Sequence, residues 1–230
     1  MKLSRVFLEP YKMGSKSAKL LAQSLGIKRI RHGRVVKPGR VVIPWGIPNN
    51  KLTFFRTLNG VDGINLPEWT KDQALAEEWV KAGKRVFCRT LLNSCQGKGI
   101  VIADKDNPVV PAPLYTVYKK KKKEFRVHIV GDSFYVQEKK KRIGAETNSL
   151  IRNHANGYVF CTQNVVLSGC CLEMCVKALS HLGLVYAAFD VIWNEHEDKY
   201  YLLEANTAPG IDGSTLEFYK NCFVKLIEAM

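Results

Sequence analysis

Three oxygen-bearing side chains interrupt two otherwise apolar stretches near the carboxyl-terminal end of the chain. Asp190 lies within the aromatic and aliphatic run 186–193, and Glu204 and Asn206 end a second run that covers 199–205. A carboxylate inside an apolar strand is costly unless a partner compensates its charge. Two carboxylates and an amide oxygen that converge form the kind of ligand set that Mg²⁺ or Mn²⁺ prefers in proteins. The pattern therefore predicts a metal site.

A β-hairpin is the element that would bring these side chains together. The polar segment 194–198 separates the two apolar runs and is typical of a hairpin turn. Glu204 and Asn206 are two residues apart, so an extended backbone directs both to one face, where Asp190 can lie opposite them. In the alternative interpretation, Asp190 pairs with a buried lysine or arginine, and the other two are polar residues at a strand end. The three side chains together favour the metal site.

The sequence around this hairpin resembles a known family. Asp190, followed by Leu-Leu-Glu-Ala-Asn-Thr-Ala-Pro-Gly at 202–210, is similar to the metal site of the ATP-grasp ligases. The variant resembles the branch that joins carboxylates to amines, including ribosomal-protein glutamate ligases and compact phage proteins. The resemblance implies an α+β fold with two lobes that clasp a nucleotide, after a short α/β domain. The expected segments are 1–64 for that leading domain, 65–113 for the small lobe and 114–230 for the large lobe.

A glycine-rich loop between two apolar segments is a candidate phosphate site. The strands expected at 85–92 and 100–103 flank Asn-Ser-Cys-Gln-Gly-Lys-Gly, whose backbone N–H groups could face an anion, although an ordinary turn has the same composition. Arg89 stands among apolar residues and needs an anionic partner there. The resemblance implies that Arg89, Gln96, Gly97 and Lys98 hold phosphates. The family usually has lysine where this chain has Arg89, which would bind phosphate in a bidentate manner.

Two later segments extend the resemblance to the adenine pocket and to the transferred phosphate. A proline-rich linker at 107–113 precedes a short strand, and the resemblance implies that Tyr115, Thr116, Val117 and Tyr118 line the adenine pocket. The strand Glu-Phe-Arg-Val-His-Ile-Val-Gly resembles one in the glutamate ligases. By that resemblance Arg126 contacts the γ-phosphate or an acyl phosphate, Lys139 or Lys141 on the return strand assists, and Asn153 stabilises the transferred phosphate. His128 shares a face with Arg126, where a packed histidine is favoured over a base.

Composition excludes several classes of protein. The chain has 230 residues, of which 46% are hydrophobic, so it can bury a core and is not disordered by composition. It contains neither an apolar run long enough to span a membrane nor the apolar core of a signal peptide. Its seven cysteines form no Cys-x-x-Cys pair, which favours buried thiols in a reducing cytoplasm over a zinc site or a disulfide framework.

The net charge of +14 indicates anionic ligands. A nucleotide accounts for part of this charge, and the remainder favours either an acidic macromolecular partner or a solvated basic surface. The five lysines at 119–123 are the densest run. A solvated loop is favoured there over a nucleic-acid contact or a surface that recruits an acidic acceptor protein.

The resulting hypothesis is an ATP- and Mg²⁺-dependent ligase that joins a carboxylate to an amine through an acyl phosphate and forms ADP. Its substrates would be small molecules or peptides. Two alternatives remain open at this stage. One is a basic nucleic-acid-binding protein on a non-catalytic ATP-grasp scaffold, and the other is a nucleotide-dependent kinase.

Overall fold

A computed structural model of the chain describes residues 3–47, 50–93, 98–145 and 150–229. These ranges contain three β-sheets and five α-helices. Gln96 and Gly97, two of the predicted phosphate-binding residues, lie outside the described residues. None of the described helices combines the length and apolarity that a bilayer crossing requires.

The leading sheet is parallel, with the strand order β2-β1-β3. Its strands are β1 (Val6–Pro10), β2 (Lys28–Arg29) and β3 (Val41–Trp45), and helix α1 (Lys16–Leu25) connects the first two. The helix begins at Ser15, whose side chain accepts a hydrogen bond from the Ala18 N–H, and ends at Gly26 in the left-handed conformation. One core joins this sheet and α1 to the last helix, α5 (Gly213–Glu228).

The small sheet is antiparallel, with the order β4-β7-β5-β6. Its strands are β4 (Trp69–Thr70), β5 (Val86–Arg89), β6 (Ile100–Ala103) and β7 (Leu114–Val117), and helix α3 (Gln73–Lys81) packs against it. Strand β7 pairs with β5 and therefore belongs to this sheet, whereas we expected residue 114 to begin the large lobe. Helix α2 (Lys51–Leu58) likewise packs into the core of the large sheet rather than that of the leading sheet.

The large sheet has five antiparallel strands in the order β10-β9-β8-β11-β12. They are β8 (Lys123–Val130), β9 (Ser133–Lys141), β10 (Tyr158–Cys161), β11 (Tyr186–Asn194) and β12 (Lys199–Asn206). Helix α4 (Gly169–His181) covers its apolar face. Both hairpins expected from the sequence, 124–141 and 186–206, are present.

A β-bulge interrupts the pairing of β11 with β12. Val191 pairs with Leu202 but Asp190 pairs with Glu204, so Leu203 is the extra residue. A bulge shifts the alternation of side chains along its strand by one residue. The face that Glu204 and Asn206 occupy therefore does not follow from simple alternation counted from the residues nearer the turn.

Candidate active site

The three residues proposed as metal ligands lie together at the end of the 186–206 hairpin. Asp190 is directly opposite Glu204 in the strand register, and Ala188 is opposite Asn206. The Asn206 amide donates a hydrogen bond to Glu204 Oε1 over 3.1 Å. The structure therefore brings two carboxylates and one amide side chain to one location, as the hairpin pattern predicts.

Arg126 binds Asp190 from the neighbouring strand. It faces Asp190 in the register of β8 with β11, and its guanidinium donates to both carboxylate oxygens, with Nε 2.7 Å from Oδ1 and Nη2 3.0 Å from Oδ2. This bidentate geometry is the strong form of an arginine–carboxylate pair. The alternative interpretation of Asp190, as the partner of a buried arginine, thus describes this state of the protein.

Further charged groups extend the pair into a network. Lys51, at the start of α2, places Nζ 3.0 Å from Glu204 Oε2. On β9, Lys139 forms an ion pair with Glu124 and lies 3.9 Å from Asp190 Oδ2. Lys121 contacts the other Glu124 oxygen over 2.9 Å.

Burial and charge act in opposite directions on the pKa values of this network. Burial alone would raise the pKa of Asp190, but the charges of Arg126 and Lys139 outweigh it and hold that pKa well below its usual range. Burial would likewise raise the pKa of Glu124, and Lys121 and Lys139 lower it. For Lys121 itself burial dominates and lowers the pKa, although Glu124 opposes the shift. The carboxylates are therefore ionised while surrounded by cations.

A narrow cavity of about 40 Å³ lies between the small and large sheets, next to this network. Among its lining residues are Arg89, the segment Thr116–Lys119, Lys121, Ile192 and Leu203. Arg89 is 8% exposed, with Nε 3.4 Å from the Thr116 hydroxyl, and burial lowers its pKa while the charge of Glu204 raises it. The cavity thus has one cationic wall and, at Ile192 and Leu203, an apolar wall.

Tyr115, one of the four residues predicted to line the adenine pocket, does not line this cavity. Its ring belongs to the core between α3 and the small sheet, and its hydroxyl accepts a hydrogen bond from the Ala112 N–H and donates to the Val110 carbonyl. Its neighbours Thr116, Val117 and Tyr118 do line the cavity. Every residue of β7 is buried. Such a strand has no alternation of exposed and buried positions that would indicate which face each side chain occupies.

The remaining predicted residues lie on other parts of the chain. Lys141 is exposed at the end of β9, two residues beyond Lys139. Asn153 lies in the β9–β10 connection, where its side-chain oxygen accepts a hydrogen bond from the Asn156 N–H over 2.8 Å. Lys98 is exposed beside Gly99, whose carbonyl closes the loop by accepting a hydrogen bond from the Thr90 N–H.

His128 is packed and does not act as an exposed base. Its side chain is fully buried, with Nδ1 3.1 Å from the Tyr219 hydroxyl and Nε2 3.0 Å from Gln137 Oε1. Burial lowers its pKa to about 4, so the ring is neutral at physiological pH.

Sequence reasoning missed several residues of the network. Lys51, Glu124 and Phe160 had no assigned role, although Glu124 opens the strand motif that contains Arg126. The Phe160 ring centroid lies 4.5 Å from the Arg126 guanidinium carbon and 5.4 Å from Lys139 Nζ, which are cation–π distances. A single aromatic residue in a short strand carried no signal of this contact.

The lysine run at 119–123 is largely paired. Lys119 lies 3.1 Å from Glu197, Lys121 contacts Glu124 as described, and Lys122 lies 3.1 Å from Glu195. The expectation of a solvated loop is therefore wrong for Lys119 and Lys121, whose side chains are 16% and 8% exposed, whereas Lys122 and its partner Glu195 are exposed as expected.

The donor chemistry of Asp190, Glu204 and Asn206 fits a hard divalent cation, since all three offer oxygen ligands from adjacent strand positions. Both carboxylates are held by cations here, namely Arg126 and Lys51. No group of three or more His, Cys, Asp or Glu side chains within the described ranges is arranged to hold a metal, so the amide of Asn206 is needed to complete the set.

Comparison of the fold with solved structures gives matches over nearly the whole chain. The ATP-grasp ligase PsnB, in complex with a minimal precursor, Mg and ADP, is 11% identical with a TM-score of 0.68, covering 100% of this chain and 98% of that one. A ligase of Chryseobacterium gregarium, described as RiPP-associated and ATP-grasp and bound to ADP with a leader and core peptide, is 13% identical with a TM-score of 0.61, covering 98% and 97%. D-alanine–D-alanine ligase of Bacillus anthracis is 14% identical with a TM-score of 0.62, covering 97% and 96%.

These matches establish the fold. The chain has the mixed helix and sheet architecture of the ATP-grasp ligases, which confirms the predicted α+β ATP-grasp fold. At these identities the likeness concerns architecture. No family model matches the sequence, and no curated protein matches it.

Proposed function

We propose that this protein is an ATP- and Mg²⁺-dependent ligase that joins a carboxylate to an amine through an acyl phosphate, with ADP and phosphate as products. The observation that carries the proposal is the charge balance of the network beside the cavity. Lys51, Arg89, Lys121, Arg126 and Lys139 contribute five cations, and Glu124, Asp190 and Glu204 contribute three carboxylates. Such an excess of buried positive charge is unfavourable by itself and is compensated by a polyanionic ligand such as a nucleoside triphosphate.

The residues around the cavity would hold a nucleotide in a defined orientation, and the cavity of about 40 Å³ marks only part of that site. The apolar side chains of Ile192 and Leu203 offer surface for a purine ring, and the backbone of Thr116–Lys119 offers polar groups at its edge. Arg89 and Lys121 line the same cavity and would hold phosphate oxygens. Asp190, Glu204 and Asn206 would hold Mg²⁺, which, when bound, neutralises negative charge on the phosphates.

The chain's own residues then support transfer of the γ-phosphoryl group. A substrate carboxylate oxygen attacks the γ-phosphorus, the bond to ADP breaks, and Arg126 and Lys139 stabilise the charge on the phosphoryl oxygens. The amine nitrogen next attacks the acyl carbon, and phosphate leaves with the electron pair of the broken bond. The amine proton passes to water or to the departing phosphate, since His128 is neutral, buried and hydrogen-bonded through both ring nitrogens.

A peptide is the proposed source of at least one reacting group. The complexes of PsnB and of the Chryseobacterium gregarium ligase contain precursor, or leader and core, peptides. Both ligases match this chain over nearly its whole length, which supports a peptide as the substrate to test.

Isothermal titration of ATP with and without Mg²⁺ tests the proposal. We expect micromolar binding that requires Mg²⁺ in the wild type. In Glu204→Gln we expect the affinity to fall by about tenfold or more, because loss of a group that holds or orients a metal commonly weakens metal binding by at least that factor. Glu195→Gln is the matched control, because Glu195 is an exposed carboxylate in the turn of the same hairpin. If ATP fails to bind wild-type protein, or binds without regard to Mg²⁺ and Glu204, the ligase proposal is wrong.

Product analysis then separates the ligase from a kinase. A ligase releases ADP and free phosphate in a ratio of one to one with the joined product. A kinase releases ADP and leaves a stable phosphorylated product.

A further inference from the structure

Most of the net positive charge of this protein lies in its leading segment. Residues 1–50 contain eleven of the 35 lysines and arginines but only one of the 21 acidic residues, Glu9, so this segment carries +10 of the net +14. The densest part is the segment 28–40, here called the basic crossover. It contains Lys28, Arg29, Arg31, Arg34, Lys37 and Arg40 and no acidic residue.

The basic crossover lies over the face of the leading sheet opposite α1. It leads from β2 to β3 across β1, and the Arg40 guanidinium carbon lies 5.2 Å from the centroid of the Phe7 ring. Glu9 anchors the crossover from beneath, because its carboxylate accepts a hydrogen bond from the Gly33 N–H and lies 3.3 Å from His32 Nδ1. A parallel sheet usually has a helix on this face, so a polar, highly charged cover is unusual.

The cations of the crossover have no carboxylate partners within the described ranges. Arg31, Arg34, Lys37 and Arg40 are exposed, and Arg29 donates to the backbone carbonyl of Met13. The run 119–123 differs, since Glu195, Glu197 and Glu124 pair with its lysines. Like charges that stay uncompensated on one surface repel each other and favour an anionic ligand. The surface for an acidic partner is therefore this crossover rather than the lysine run.

The edge of the leading sheet where the crossover begins adjoins the proposed ligation site. The Gly46 N–H donates to the Thr207 carbonyl over 2.9 Å, and the Ile47 N–H donates to the Thr207 hydroxyl over 3.0 Å, directly after Asn206. At the same edge the Tyr11 ring packs edge-on against His32 at 5.5 Å between centroids. A chain bound along the crossover would thus lead toward the loop that follows the proposed metal ligands.

From these contacts we infer that the basic crossover docks an acidic peptide segment, rich in aspartate and glutamate, that belongs to a substrate of the proposed ligase. Continuity with the ligation site favours a peptide over a nucleic acid. The docking itself depends on the crossover alone, and only the fate of the docked peptide rests on the proposed function.

Fluorescence anisotropy tests this inference with a labelled decapeptide of alternating glutamate and glycine, and with a single-stranded RNA of equal charge. The test variant is Arg31→Glu, Arg34→Glu and Lys37→Glu together. The matched variant is Lys81→Glu, Lys120→Glu and Lys220→Glu, which changes the net charge equally at exposed lysines outside the leading segment. The test variant loses three contacts between exposed charges, so we expect it to bind the peptide about tenfold more weakly than wild type. We expect the matched variant to bind the peptide about as well as wild type.

Three outcomes would overturn the inference: equal weakening in both variants, no binding of the peptide by wild-type protein, or tighter binding of the RNA that is lost in the test variant. The changed residues are exposed, so we expect the test variant to fold normally, and circular dichroism and thermal unfolding check this. Titration with ATP and Mg²⁺ keeps the two proposals separate. The test variant should bind ATP normally, and Glu204→Gln should bind the peptide normally, so failure of either proposal leaves the other measurable.

Discussion

Lys51 Nζ lies 3.0 Å from Glu204 Oε2, and this ion pair connects the first turn of α2 to the carboxyl-terminal end of β12. Both side chains are half-buried, at 13% and 26% exposure, so the pair is stronger than one fully in solvent. Lys51 would therefore compete with the proposed divalent cation for the same carboxylate.

Replacing Lys51 by methionine should strengthen binding of a divalent cation in the absence of nucleotide. The substitution keeps an unbranched side chain but removes the competing charge, and we expect Mn²⁺ affinity to rise by about fivefold. Electron paramagnetic resonance of free Mn²⁺ measures this directly. Lys51→Arg retains the charge and should resemble wild type, whereas unchanged or weaker Mn²⁺ binding in Lys51→Met would show that Lys51 does not restrain Glu204.

Replacing Arg126 by glutamine should destabilise the protein. The change leaves Asp190, which is 6% exposed, without its bidentate partner, and an unpaired buried charge costs about 3–5 kcal/mol. Lys139 lies 3.9 Å from Asp190, so we expect the lower end of that range in urea unfolding at pH 7. The double variant Arg126→Gln with Asp190→Asn removes the charge and should recover most of the loss. Additive losses in the double variant would contradict the pairing.

The stability of the folded chain should depend on pH through His128. Its pKa is about 4 when folded and 6.5 when unfolded, so between these values the unfolded state binds a proton that the folded state does not. The free energy of unfolding should therefore fall as pH decreases from about 6.5 to about 4, by at most about 1.4 kcal/mol per pH unit. Urea unfolding across this range should show the slope in wild type and in His154→Gln, where the histidine is exposed. The slope should be reduced in His128→Gln, and an unchanged slope there would assign the effect to other groups.

Replacing Gly99 by alanine should disturb the loop that closes the β5–β6 hairpin. Gly99 has a φ of +72°, and an added Cβ would lie 2.7 Å from Leu91 Cγ and 2.8 Å from its Cβ. Gly39 has a similar φ of +76° but open space at the Cβ position, so Gly39→Ala reports the backbone cost alone. We expect losses of about 1–2 kcal/mol for Gly39→Ala and about 2–4 kcal/mol for Gly99→Ala in urea unfolding. Equal losses would mean that Leu91 moves aside without cost.

The sequence allowed prediction of the elements that are local along the chain. The two hairpins of the large sheet were predictable because alternation and turn composition act over neighbouring residues, and Asp190 indeed faces Glu204 across one of them. The capping of α1 by Ser15 was predictable for the same reason.

Contacts between distant segments could not be predicted in the same way. Arg126 meets Asp190 only because β8 lies beside β11, 64 residues away in sequence, and Lys121 is buried only because Glu124 and the cavity lie beside it. Tyr115 shows a further limit, because a strand buried on both faces has no polar alternation to mark which face each residue occupies.

The extra residue at Leu203 has a consequence for how this hairpin can change. Between the turn and the bulge, side-chain direction follows from the pairing of Val191 with Leu202, and beyond it the direction is reset. Removal of Leu203 would leave a regular ladder in which Leu202 still pairs with Val191 and Glu204 still pairs with Asp190, so the carboxylates would stay on one face while the local bend and extra twist of the bulge were lost. A one-residue deletion could therefore separate the effect of strand curvature from the effect of the acidic residues, whose identity and pairing it leaves unchanged.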